Sequence, residues 1–248
     1  MKNKLQSFET YRGIAALMIA AVHFNVNSPL SNHSLANGLF VHFFFTLSGF
    51  VMYLNYHDKL IDFSSVKNFL KKRFFRLYPL HLLFLIIFLI IEVSKYFVQI
   101  KYGLVANNEA FSINNFKTFL GNIFLIQTFF DYNTFNTPSW SISAEYYTYI
   151  IFALVFFFMK KNNLLIFISL VGILAFRINS EIGLGIEKTY LSFLDCVYCF
   201  FIGVFSCKIY FKYSNYEIFQ KYYSILTLIL LVVSGLLIIN IGGKFSFI

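Results

Sequence analysis

Arg12 and His23 bracket the apolar stretch "RGIAALMIAAVHF". Eleven residues is close to three helical turns, so the two side chains share one stripe, roughly 16 Å apart. The plain reading is a snorkelling arginine and a core-satisfied histidine; the other is a titratable imidazole held in an apolar helix. Arg73 and Arg76 in "KKRFFRLYPLH" are three residues apart, hence on one helical face. Two forked guanidinium groups at a membrane boundary can clamp a phosphate or diphosphate. The same basic run also reads as the cytoplasmic flank of a span, which accounts fully for Lys71 and Lys72. Glu145 in "WSISAEYYTYI" shares a face with Ser141 and Tyr149, in a stretch that otherwise runs apolar to Met159. A carboxylate in hydrocarbon is costly, so it has a function or a partner, and a buried arginine would serve for structure alone. Ser48 and Gly49 sit mid-segment in "HFFFTLSGFVMYL", where small residues let helices approach closely and a hydroxyl is available to a site. Cys196 and Cys199 form a C-x-x-C without a second pair, so with Cys207 they read as packing residues, and no metal is expected.

The elements that must position these residues are membrane helices. The 248 residues are 58% hydrophobic and 12% charged, where soluble chains carry about 25% charged residues. Mean hydropathy is +0.69, as an integral membrane protein requires. Apolar segments recur at 13–26, 39–54, 74–93, 119–130, 140–159, 164–176, 190–210 and 222–241. Several approach the roughly 20 residues that cross the hydrocarbon. The segment 119–130 is short, so the count is seven or eight spans. The expected fold is all-α, a polytopic membrane helical bundle, with residues 1–248 forming one transmembrane domain. The polar breaks fall at 27–38, 55–68 and 94–118.

Net charge is +9, but its 20 Lys and Arg are scattered through the loops rather than gathered in one aromatic-laced patch. That excludes nucleic acid and points to positive loops facing the cytoplasm. The N-terminus and "KKRFFR" then face the cytoplasm and 27–38 faces outward. Lys2, Lys4 and Arg12 before an apolar run resemble a signal peptide, but the further spans that follow at once favour a retained first helix.

Four motifs stand in a recognisable order: "FETYRGIAALMIAAVHF", "FFFTLSGFVM", "KKRFFRLYPLHLL" and "PSWSISAEYYTYI". Together they resemble the membrane acyltransferase-3 family, which includes bacterial O-antigen and exopolysaccharide O-acetyltransferases. "FLDCVYCFFIGVFSCKIY" resembles a later family segment more loosely. The resemblance implies transfer of an acyl group, most often acetyl, from acyl-CoA to a hydroxyl of an envelope glycan or lipid-linked sugar. It implies no permanently bound cofactor, and a multi-pass protein of the bacterial cytoplasmic (inner) membrane. On that reading His23 and Glu145 are catalytic, His23 as general base or transient acyl carrier. Glu145 would orient the imidazole, bind sugar hydroxyls or pair with an arginine. Arg12, Arg73 and Arg76 would hold the anionic groups of acyl-CoA, with Ser48, Trp140 and Ser141 also lining the substrate site. Family members are longer, so the chain is expected to lack the last family helices. The alternatives are an inactive membrane protein of the same fold, or a transporter, for which no internal repeat is visible.

Overall fold

A computed structural model of the chain describes residues 13–14, 16–17, 19–20, 34–106, 108–130, 135–158 and 188–213. Among these, all regular structure is helical. The elements are α1 (Ser34–Tyr56), α2 (Phe63–Tyr102), α3 (Phe116–Ile123), α4 (Gln127–Phe130), a 3₁₀ turn (Thr137–Ser139), α5 (Trp140–Phe158) and α6 (Lys188–Tyr213). Three stretches are long and apolar enough to cross a membrane: Phe63–Tyr102, Thr137–Phe158 and Ser192–Tyr213. Phe40–Tyr56 is a shorter apolar helix. Much of 13–26 and all of 164–176 and 222–241 lie outside the described residues.

Helix α2 outruns the expected span 74–93 at both ends. Its 40 residues reach about 60 Å, twice the hydrocarbon thickness. The start is set by Asp62, whose side chain accepts the Ser65 backbone N–H at 2.7 Å while the Asp62 N–H donates to the Ser65 hydroxyl. The stop is Gly103, in the left-handed region at φ 66°. The polar residues of 55–68 and 94–118 therefore belong in part to the helix, because caps rather than hydropathy end it. Pro79 within α2 has no N–H to give the Phe75 carbonyl.

The segment 119–130 is not one helix. Asn115 caps α3, which ends after eight residues, and Leu125 takes a left-handed φ of 55° before the four-residue α4. Neither piece is long enough to cross the hydrocarbon as a helix.

The chain divides into two compact units, residues 56–198 and residues 1–55 with 199–248. In the first, α2 packs against α5 through Phe69, which meets Tyr149 edge-on at 6.1 Å and Phe152 at 5.9 Å. Phe129 of α4 meets Tyr147 at 4.9 Å and Phe193 at 5.0 Å, and the Thr148 hydroxyl donates to the Cys196 sulfur. In the second unit, Gly49 and Gly203 set the closest approach of α1 and α6. A Cβ on Gly49 would lie 1.8 Å from the Phe200 carbonyl oxygen, and one on Gly203 would lie 1.8 Å from that of Thr46. The three cysteines are buried and, among the described residues, none forms a disulfide.

Candidate functional site

Along α2 the buried residues are Val66, Phe69, Arg73, His81, Leu85 and Glu92. Their spacing returns to one side of the helix, so three ionisable side chains lie on its inward stripe. Each is satisfied differently.

Arg73 is 9% exposed, yet among the described residues no carboxylate pairs with it. Aromatic groups take that place. Its Nη2 donates to the Tyr56 hydroxyl at 2.8 Å, and the guanidinium lies over the rings of Tyr56 (5.1 Å), Phe69 (5.6 Å) and Tyr149 (6.0 Å). Such contacts contribute about 0.5–2 kcal/mol each to holding a cation out of water. Arg73 Nε, itself buried, has no acceptor. The cage thus holds the charge in place and leaves donor capacity for an anion.

The Tyr149 hydroxyl donates to Glu145 Oε1 at 2.5 Å, one helical turn away on α5. One phenol therefore offers its ring face to Arg73 and its O–H to Glu145, which joins these two expected site residues. Arg76, by contrast, is exposed, as are Lys71 and Lys72. Three-residue spacing puts the arginines near one another on the helix, but only Arg73 falls within the buried stripe.

The N-terminus of α5 is fastened by its serines. Ser141 donates to the Pro138 carbonyl at 2.9 Å, and fully buried Ser143 donates to the Leu125 carbonyl. Trp140 stands half-buried at the head of the helix. Beneath it, His81 Nε2 meets the Asn122 carbonyl oxygen at 2.9 Å. A carbonyl only accepts, so Nε2 is the donor in this bond. Asn122 bonds to the Thr118 carbonyl and receives the Ser139 hydroxyl at 3.4 Å, while Gln127 donates to the Ser139 carbonyl at 3.1 Å. This network ties the break at Leu125 to α2 and α5.

Glu92 is 3% exposed and has three donors: Lys95 Nζ (3.1 Å), the Phe111 N–H (2.9 Å) and Asn114 Nδ2 (3.1 Å). It pins the loop after α2 to the helix.

His23 and Arg12 lie outside the described residues. Ser48 is buried on α1, in the unit that also holds Gly49 and Gly203. Tyr56, Asn122 and Glu92 lie outside the sequence motifs, while His81, Ser143 and Tyr149 stand within them without having been given a role. Glu92 could have been found, since it is a carboxylate in an apolar run just as Glu145 is. Among the described residues no group of three metal-ligating side chains gathers, and Arg73 is a buried cation with an unpartnered donor.

A profile of the family described as "Acyltransferase domain" matches residues 5–247. Among curated proteins, the chain is similar to acyltransferase MdmB of Streptomyces mycarofaciens, at 30% identity over 171 residues. That alignment covers 64% of this chain and 41% of the relative, so the match spans about two-fifths of the relative's length. No solved structure matches.

Proposed function

The chain belongs to the acyltransferase-3 family, and from that premise we propose that it moves an acyl group, acetyl above all, from acyl-CoA to a hydroxyl of an envelope glycan or lipid-linked sugar. It does so as a seven- or eight-span protein of the bacterial cytoplasmic (inner) membrane, with the N-terminus in the cytoplasm. The observation that carries the reading is Arg73: a buried cation held by three rings, without a described acidic partner and with an unused donor. Structural arginines in apolar surroundings are ordinarily paired with carboxylates, whereas an anion-binding arginine is best left open.

In the reaction, Arg73 holds the phosphates of acyl-CoA, with Arg12 and exposed Arg76 adding charge at the entrance. His23 takes the proton of the acceptor hydroxyl, whose oxygen attacks the thioester carbonyl. The C–S bond breaks, the CoA thiolate leaves, and the imidazolium returns its proton to the sulfur. Glu145, bonded to Tyr149, orients that imidazole or the sugar. Ser48, Trp140 and Ser141 shape the substrate site. The test is transfer of labelled acetyl from acetyl-CoA by purified protein to glycan extracted from cells lacking it, with His23→Ala as control. Transfer lost in His23→Ala supports the reading. Absence of transfer and of coenzyme A binding in the folded wild-type protein would leave it an inactive member of the same fold.

A further inference from the structure

Beside the Glu92 clamp lies an open cleft of about 280 Å³, near the lower end of the size of small-molecule sites. Its wall includes Glu92, Lys95, Asn108, Glu109, Ser112 and Asn114. Two carboxylates against one ammonium leave the cleft net negative, which disfavours phosphates and coenzyme A. The amide and hydroxyl side chains offer donors and acceptors side by side. That mixture matches hydroxyl groups, each of which both donates and accepts.

Asn114 sharpens the assignment. Its Nδ2 donates to Glu92 Oε2, which settles which end of the amide is oxygen, and its buried Oδ1 has no protein donor. Glu92 already accepts from three donors of its own chain, so its role is to hold this wall rather than to bind. The free functions are those of Asn108, Glu109 and Asn114 Oδ1, together with the remaining N–H bonds of Lys95, whose side chain is 26% exposed. Ser112 already donates to the Glu109 carbonyl, so its oxygen is left to accept.

Position separates this cleft from Arg73. Arg73 and Glu92 are nineteen positions apart on α2, about 28 Å along the axis and nearly one hydrocarbon thickness. The cleft is therefore distinct from the Arg73 cage.

We infer that this cleft binds a neutral polyhydroxyl ligand, a single sugar unit of the acceptor. As an acceptor subsite the inference rests on the acyl-transfer reading, but sugar binding itself does not. The experiment is saturation-transfer NMR on the full chain in detergent, with glucose, galactose, mannose, rhamnose and N-acetylglucosamine as separate probes and no acyl donor. Coenzyme A binding is measured in parallel. At least one neutral sugar should receive saturation, and Asn108→Ala and Ser112→Ala should each reduce that signal at least threefold. Both variants should keep the wild-type melting temperature and coenzyme A binding, since neither touches Glu92 or Arg73. No transfer to any of the five sugars, or a signal unaltered in both variants, overturns the inference. Sugar binding without coenzyme A binding would instead sink the donor half of the proposed function and leave the cleft standing.

Discussion

Arg73 and Glu92 occupy the same buried stripe of one helix and carry opposite charges, yet they are solved in opposite ways. Glu92 has three donors from its own chain: an ammonium, a backbone N–H and an amide converge on it within 3.1 Å. Arg73 has one phenol oxygen, three ring faces and an idle Nε. A buried charge held by several donors of its own chain is a fastening. One that is merely caged still has something to bind. Burial alone does not separate the two; counting partners does.

Breaking the contrast at Arg73 should have the largest effect. Arg73→Ala is expected to weaken coenzyme A binding roughly a hundredfold, about 3 kcal/mol, because a buried charge-assisted contact is lost. Its melting temperature should hold or rise, since a charge lacking a described acidic partner leaves the interior. Arg73→Lys should lose about tenfold by giving up the fork, and exposed Arg76→Lys much less. Equal losses at both, by titration calorimetry, would mean that only bulk positive charge matters.

Glu92→Ala should do the reverse. Three donors are stranded, so unfolding in detergent should become easier by about 3 kcal/mol while coenzyme A binding stays unchanged. A variant as stable as the wild type would remove Glu92 from the class of fastenings.

The next effect is smaller and tests the link between Arg73 and Glu145. Tyr149→Phe deletes the O–H to Glu145 and keeps the ring over Arg73. It should cost about 1 kcal/mol of stability and lower the transfer rate without weakening coenzyme A binding. Tyr149→Leu, which removes the ring as well, should weaken both. Identical behaviour of the two variants would show that the ring face does not matter.

The smallest effect lies at the head of α2. The Ser65 N–H, with the Ser65 hydroxyl, holds the Asp62 carboxyl below its ordinary range. Its folded pKa is thus below the unfolded one, so the stabilisation is present above the unfolded value and fades as pH falls through the folded value. Asp62→Ala should lower the melting temperature slightly at neutral pH, and the difference from wild type should vanish in acid. A difference that persists in acid would place the effect outside the cap.

Hydropathy located α5 and α6 closely, because their apolar runs begin and end where the helices do. It misjudged α2 by treating 63–68 and 94–102 as breaks, although the cap signals Asp62-x-x-Ser65 and Gly103 were in plain view. It also could not divide 119–130, since nothing in the residue types announces a left-handed leucine. At the site, spacing singled out Arg73 and the cost of buried charge singled out Glu145, but neither gave a role to the phenol between them. Which ring covers which cation depends on how two helices cross, and periodicity within one helix is blind to that. Ser141 was legible as a motif residue; Ser143, two residues on, makes the buried bond.

The reciprocal glycines of α1 and α6 bear on how freely the protein can vary. Each forbidden Cβ would strike a main-chain oxygen rather than a side chain, so no change of a facing residue can make room for it. The two positions cannot rescue one another either: an alanine at Gly49 still meets the Phe200 carbonyl whatever stands at 203. A library screen of this chain should therefore find two isolated intolerant points amid permissive apolar neighbours. Designers who transplant the helix pair would have to carry both glycines together.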